Sequence, residues 1–130
     1  MERREINPWE WNKPFGFQQA VEVTGAERVL YLSGQTAIDP EGNVLDGDMA
    51  AQVSLTLDNL ERVLAEAGMT FANIVRVTWY VTSIAEFRET GDVRTARFNP
   101  SGMKAASTLV QVAGLAYPEL KVEITATAVA

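Results

Sequence analysis

One carboxylate stands where it can do chemistry. Glu123 lies mid-run in Lys121-Val122-Glu123-Ile124-Thr125, between apolar neighbours. Desolvation disfavours the charged form of a carboxylate and brings its proton exchange toward neutral pH, the condition for general acid–base work. The plainer reading is a surface glutamate paired with Lys121 or Arg76, and it is favoured because ionisable side chains are mostly exposed. Ser33-Gly34-Gln35 closes another β-rich run. Glycine lets a backbone approach closely, so the Gly34 N–H can face a ligand carbonyl or carboxylate. The alternative is a strand-end bulge or turn. Ser107 and Thr108 offer hydroxyls at a strand start, where such residues are common for structural reasons alone. Trp9, Trp11, Phe15 and Phe17 cluster near the N-terminus; they are expected to pin this segment onto a sheet, and the lesser alternative makes one of them a pocket wall.

The sequence contains 0 His and 0 Cys. That excludes a Ser-His-Asp triad, a thiol nucleophile, a disulfide and every imidazole or thiolate metal site. Glycine-rich dinucleotide and phosphate-binding loops are absent as well. Any chemistry must therefore use carboxylates, hydroxyls, Lys, Arg, Tyr, backbone groups and water.

The elements that must position these residues follow from periodicity. Met49, Val53, Leu57, Leu60 and Leu64 recur at helical spacing, which predicts a helix over 48–67 with Asp48 as N-cap and Gly68 as stop. Residues 73–82 alternate: Val75, Val77, Trp79 and Val81 are expected on one side, Arg76, Thr78, Tyr80 and Thr82 on the other. Residues 84–98 are expected to form a second helix, weakened by Gly91. Strands are expected over 19–23, 28–34, 106–112 and 120–129, the first two joined near Gly25. In the last, Val122, Ile124, Ala126 and Ala128 share a face. The order ββαβαββ predicts an α+β two-layer sandwich, with two helices covering one face of a single mixed sheet. Its other face would carry Thr78, Tyr80, Glu123, Thr125 and Thr127, either solvated or buried against copies of itself.

At 130 residues the chain is expected to be one domain, 1–130. Its 11 Lys+Arg against 17 Asp+Glu give a net charge of −6. The densest basic window, Glu2-Arg3-Arg4-Glu5, cancels itself, which disfavours nucleic-acid partners. No apolar run has membrane-spanning length. Residues 1–5 do not open a signal peptide. A cytoplasmic location is the default expectation.

The run Phe15-Gly16-Phe17-Gln18-Gln19-Ala20-Val21, followed by Leu30-Tyr31-Leu32-Ser33-Gly34-Gln35 and Asp39-Pro40-Glu41-Gly42, resembles the reactive-intermediate-deaminase (Rid) family. That family is also called YjgF/UK114 or endoribonuclease L-PSP. Ala106-Ser107-Thr108-Leu109-Val110 with residues 118–129 is similar to its closing signature. The resemblance implies a chorismate-mutase-like fold assembled as a homotrimer, with the sheets forming a central barrel and small-molecule sites in the clefts between subunits. It also implies hydrolysis of imines and enamines, such as 2-aminoacrylate, to 2-oxo acids and ammonia, without metal or organic cofactor.

Carried over by resemblance, Ser33 and Gly34 hold the substrate and Glu123 orients or activates water. Thr108 stands where many members have cysteine, Phe17 replaces a frequent tyrosine, and Gly91 falls where the deaminase branch often has asparagine. Ala106 is the largest departure. The deaminase branch has an arginine there that clamps the substrate carboxylate with two charge-assisted hydrogen bonds. Alanine cannot supply them, which weighs against 2-imino acids unless another cation, such as Lys104, Arg94 or Arg97, takes over. The resemblance thus implies an imine-hydrolysing trimer, or alternatively a binding or regulatory member without turnover. The family's old label adds RNA cleavage, which the charge and the missing histidine oppose.

Overall fold

The computed structural model describes residues 1–130. In chain order the elements are β1 (Glu2–Ile6), β2 (Ala20–Thr24), β3 (Val29–Thr36), α1 (Met49–Glu66), β4 (Ile74–Val81), α2 (Ile84–Arg88), α3 (Gly91–Phe98), β5 (Ala106–Gln111) and β6 (Val122–Val129). The fold is a mixed α+β arrangement of two sheets and three helices. No helix is long and apolar enough to cross a membrane.

Helix α1 forms where the apolar stripe demands it. Asp48 caps it by accepting the Ala51 N–H at 2.8 Å. Gly68 ends it at φ +71°, a left-handed conformation that suits glycine. The expected stripe is buried, and Gln52 and Thr56 are buried with it. Gln52 is fully enclosed and fully used. Its amide donates to the Leu45 and Glu119 carbonyls and accepts the Lys121 N–H, at 2.8–2.9 Å. This side chain fixes the approach of the chain to β6. Gln52→Ala is expected to cost about 1–3 kcal/mol by stranding those backbone groups, read as a lower urea midpoint.

The main sheet has the order β3-β6-β4-β5; β6 is antiparallel to both neighbours and β4 is parallel to β5. Leu32, Val77, Trp79, Val81, Val122, Ile124, Ala126 and Ala128 are buried on the helix side, with α1 supplying Leu57, Leu60 and Leu64. On the other side Thr78, Tyr80, Glu123, Thr125 and Thr127 are half-buried, and Arg76 and Thr108 are exposed.

Four expectations need correction. Residues 2–6 form a strand that the sequence conceals, because charged side chains dominate it. Its charged side chains are engaged outside the strand: Arg4 pairs with Glu22 and Glu5 with Lys104, while Arg3 donates to the Ala72, Ile74 and Lys104 carbonyls. Strand β2 pairs with β1, so these two form a separate ribbon and the sheet is not single. The ribbon is tied to the main sheet by Arg3 on the Ile74 carbonyl, and Gln18, just before β2, makes a single bridge to Ala106.

The expected second helix is two helices. The Phe87 carbonyl is taken by the Thr90 N–H at 3.0 Å and the Thr90 hydroxyl at 2.6 Å, which ends α2 before α3 begins. In β4 a register shift between Ile74 and Arg76 puts Ile74, rather than Val75, into the core. The aromatic cluster does not pin the N-terminal segment. Trp9, Trp11 and Phe15 are exposed, and only Trp11 and Phe17 stack, edge to face at 5.9 Å. Amides do the pinning: Asn12 donates to Asn7 Oδ1 and the Phe17 carbonyl, and Asn7 donates to Gln18 Oε1.

Candidate functional site

Strand β3 carries one residue more than β6 between the pairs Leu32–Ala126 and Gln35–Ile124. The extra residue makes a bulge at Ser33-Gly34. Bulges re-aim side chains and backbone next to functional sites. Beyond the bulge, the Asn59 amide of α1 donates to the Thr36 and Ile38 carbonyls at 2.8 and 2.7 Å, which locks this end of β3. The turn that follows is closed by Asp39, whose carboxylate accepts the Asn43 and Glu41 N–H groups. These bonds, that from Asn43 foremost, hold its pKa below the usual value.

The bulge brings Gly34 under Glu123. A β-carbon built on Gly34 would collide with Glu123 Oε2 and lie 2.6 Å from Cδ and 3.0 Å from Cγ. Gly34 has no positive φ, so what position 34 requires is space for the carboxylate. Glu123 is half-buried and its register partners are Tyr80 on β4 and Thr36 on β3. Neither expected ion-pair partner reaches it. Lys121 Nζ donates to the Gly47 carbonyl at 2.5 Å, and Arg76 Nη2 donates to Thr108 Oγ1 at 2.7 Å. Glu123 forms no ion pair within the chain. An open groove of about 420 Å³ leads from Gly34 past Thr36 to Asn59 and Arg62. No group of three carboxylates is placed to hold a metal ion.

A second cluster occupies the opposite corner of the same face. Arg76 sits opposite Ala106 in the parallel β4–β5 register, two pairs from Thr78–Thr108 and on the same face. Phe17 is held nearby, since the Gln18 N–H donates to the Ala105 carbonyl at 2.9 Å. The expected site residues therefore fall into two groups within one chain: Ser33, Gly34 and Glu123 in one, Phe17, Ala106 and Thr108 in the other. Gly91 belongs to neither. It opens α3 in the helix layer, where an added β-carbon would meet only Arg94 Nη2, at 4.0 Å.

The three cations expected to stand in at Ala106 are engaged elsewhere in the chain. Arg97 pairs with Asp58 and Glu61, and Lys104 with Glu5. Arg94 lies 4.1 Å over the Phe87 ring, bonded to the Phe87 carbonyl, and burial lowers its pKa. Sequence reasoning put Tyr80 and Arg76 on the Glu123 side of the sheet but named neither as a site residue. Their signal was present in the alternation of 73–82, which set both on the side of Glu123. What was absent was the register, which decides who faces whom.

Comparison with known proteins agrees with this fold. The family model described as Endoribonuclease L-PSP matches residues 12–130. A protein named as a RutC family member in Aquifex aeolicus is 37% identical over 125 residues, covering 95% of this chain and 98% of that protein. A mouse protein named 2-iminobutanoate/2-iminopropanoate deaminase is 32% identical over 114 residues, covering 87% of this chain and 80% of its own length. The crystal structure of a Rid-family protein of unknown function from Yersinia pestis superposes with a TM-score of 0.86 at 37% identity, and each chain is covered completely. The match in sequence and in fold spans the bulge, the glutamate strand and the helix layer together, and the chain belongs to the endoribonuclease L-PSP (Rid/YjgF) family.

Proposed function

We propose that this protein is a homotrimer that binds a small molecule between subunits and hydrolyses an imine or enamine at Glu123. The observation that carries the reading is the half-buried Glu123 carboxylate, without an ion-pair partner and seated over Gly34. A carboxylate free of a counter-charge can accept a proton from water. Water attacks the imine carbon and gives its proton to Glu123. A C–O bond forms as the C=N bond becomes single, Glu123 passes the proton on to the nitrogen, and the new hydroxyl gives up its proton as the C–N bond breaks, releasing ammonia and leaving a carbonyl product. Ser33 and Gly34 hold the reacting polar group beside that carboxylate. The relatives named as 2-iminobutanoate deaminases support this reaction class.

Assembly is supported by what the chain leaves uncovered. Beyond the Ala106 bridge, the outer edge of β5 has no strand partner, and β5 carries no charged residue. An uncharged open edge invites pairing with another chain. Tyr31 is 79% exposed and Val110 38%, on the face that carries Glu123. Two copies apposed on this face can unite the two half-sites.

The test is ammonia release from freshly generated 2-iminobutanoate together with the sedimenting mass. Turnover above the buffer rate by a particle of three 14.3 kDa chains is expected. A monomer at micromolar concentration, or a rate equal to buffer across a varied imine panel, would overturn the reading. A second reading, binding without turnover, is favoured by Ala106; saturable metabolite binding with no turnover would support it. RNA cleavage does not follow from the family's name, given a net charge of −6 and no histidine.

A further inference from the structure

The four strands of the main sheet contain one cation and one anion, Arg76 and Glu123, and both lie on the face away from the helices. Arg4, Arg62 and Arg97 each face a carboxylate. Arg3, Arg28 and Arg94 bond backbone carbonyls, and Arg88 ends α2 in the helix layer, off this face. Arg76 has only the neutral Thr108 hydroxyl. A guanidinium has five N–H donors in a planar fork that matches a carboxylate. One bond to Thr108 orients the fork and leaves most of it unused. The register partner on β5 is Ala106, whose methyl group leaves the space beside the fork open.

We infer that Arg76 is the anion-recognising residue of the site and that the ligand carries a carboxylate. The inference rests on the reading of this face as the ligand site, and it deepens that reading. It restores the 2-imino acids that Ala106 alone weighs against. Arg76 and the Glu123 partner Tyr80 are four positions apart on β4, about 13 Å at strand rise. A small imino acid cannot span that distance within one chain. Arg76 of one copy therefore serves Glu123 of the next. The ligand carboxylate sits on Arg76, and its C–N bond lies over Gly34 and Glu123 of the neighbour.

Calorimetry with 2-oxobutanoate and its uncharged amide, 2-oxobutanamide, tests the recognition step. Arg76→Gln is expected to weaken 2-oxobutanoate binding about 10- to 100-fold and the amide less than about 3-fold. Arg76→Lys should recover part of the loss, since it keeps the charge without the fork. Equal losses for both probes, no loss for either, or no 2-oxobutanoate binding by the wild type would overturn the inference. So would a change of sedimenting mass in Arg76→Gln, which would make the residue structural. Arg76-dependent binding without turnover of 2-iminobutanoate would sustain the inference and sink the hydrolase reading; turnover indifferent to Arg76 would do the reverse. Refolding Arg76→Gln and Glu123→Gln chains together should regenerate intact sites at about one quarter of interfaces, by random pairing of copies. Absence of regained turnover, with each parent inactive and mixing verified by mass, would place both residues' roles within one chain.

Discussion

Glu123→Gln is expected to lower the turnover of 2-iminobutanoate by about 10²- to 10⁴-fold, the range associated with a positioned general base. Glutamine keeps the length and shape of the side chain and loses only the capacity to take a proton. The folded state should tolerate the change, because the native carboxylate has no ion pair to break. Removing a half-buried charge can even relieve a small desolvation cost. The measurement is kcat by ammonia release alongside the urea midpoint. A loss of activity with an unchanged midpoint supports the assigned role. A parallel fall of both would make Glu123 a structural residue.

Gly34→Ala is the second large effect, expected at about 10²-fold in kcat, the scale set by misplacing a reacting group by about 1 Å. The added methyl group would fall into the Glu123 carboxylate, 2.6 Å from Cδ. A side chain gives way more easily than a backbone, so Glu123 swings off the bulge and the sheet survives. The prediction therefore separates a displaced carboxylate from a damaged fold. If Gly34 acts through Glu123, the double variant Gly34→Ala/Glu123→Gln should be no slower than Glu123→Gln alone, a strong departure from additivity. Additive losses would show that position 34 contributes by another route, such as its own backbone contact with the ligand.

The sequence made helix α1 and the glutamate strand readable for one reason: each buries a continuous apolar face. The stripe from Met49 to Leu64 and the alternation from Val122 to Ala128 are direct images of that burial. Where burial is not what holds an element, pattern reading failed. Strand β1 is held by Arg3 on backbone carbonyls and by pairing with β2, and neither leaves a periodic trace. The break at Thr90 depends on one residue, whose N–H and hydroxyl both bond the Phe87 carbonyl. The site was half legible. Ser33, Gly34 and Glu123 were named from local chemistry and the resemblance, and the bulge brings them together. Arg76 was placed on the correct side by alternation and was then treated only as a partner for Glu123. Its proximity to Ala106 and Thr108 depends on a parallel register set by a crossover of some two dozen residues between β4 and β5. No local signal encodes that.

The order β3-β6-β4-β5 also governs how the protein is born. The strand made last, β6, lies between two strands made much earlier. Until residues 122–129 have been synthesised, β3 and β4 have no neighbour between them. At about 5–20 residues per second, the interval from the end of β3 to the start of β6 is roughly 4–17 s on the ribosome. Throughout it, Leu32, Val77, Trp79 and the α1 stripe lack the surface they pack on. A nascent chain in that condition is a client for holding chaperones, and a message truncated before residue 122 would yield aggregate. The strand that closes the sheet is also the one that carries Glu123, so the nascent chain acquires its sheet and that half-buried carboxylate in a single event.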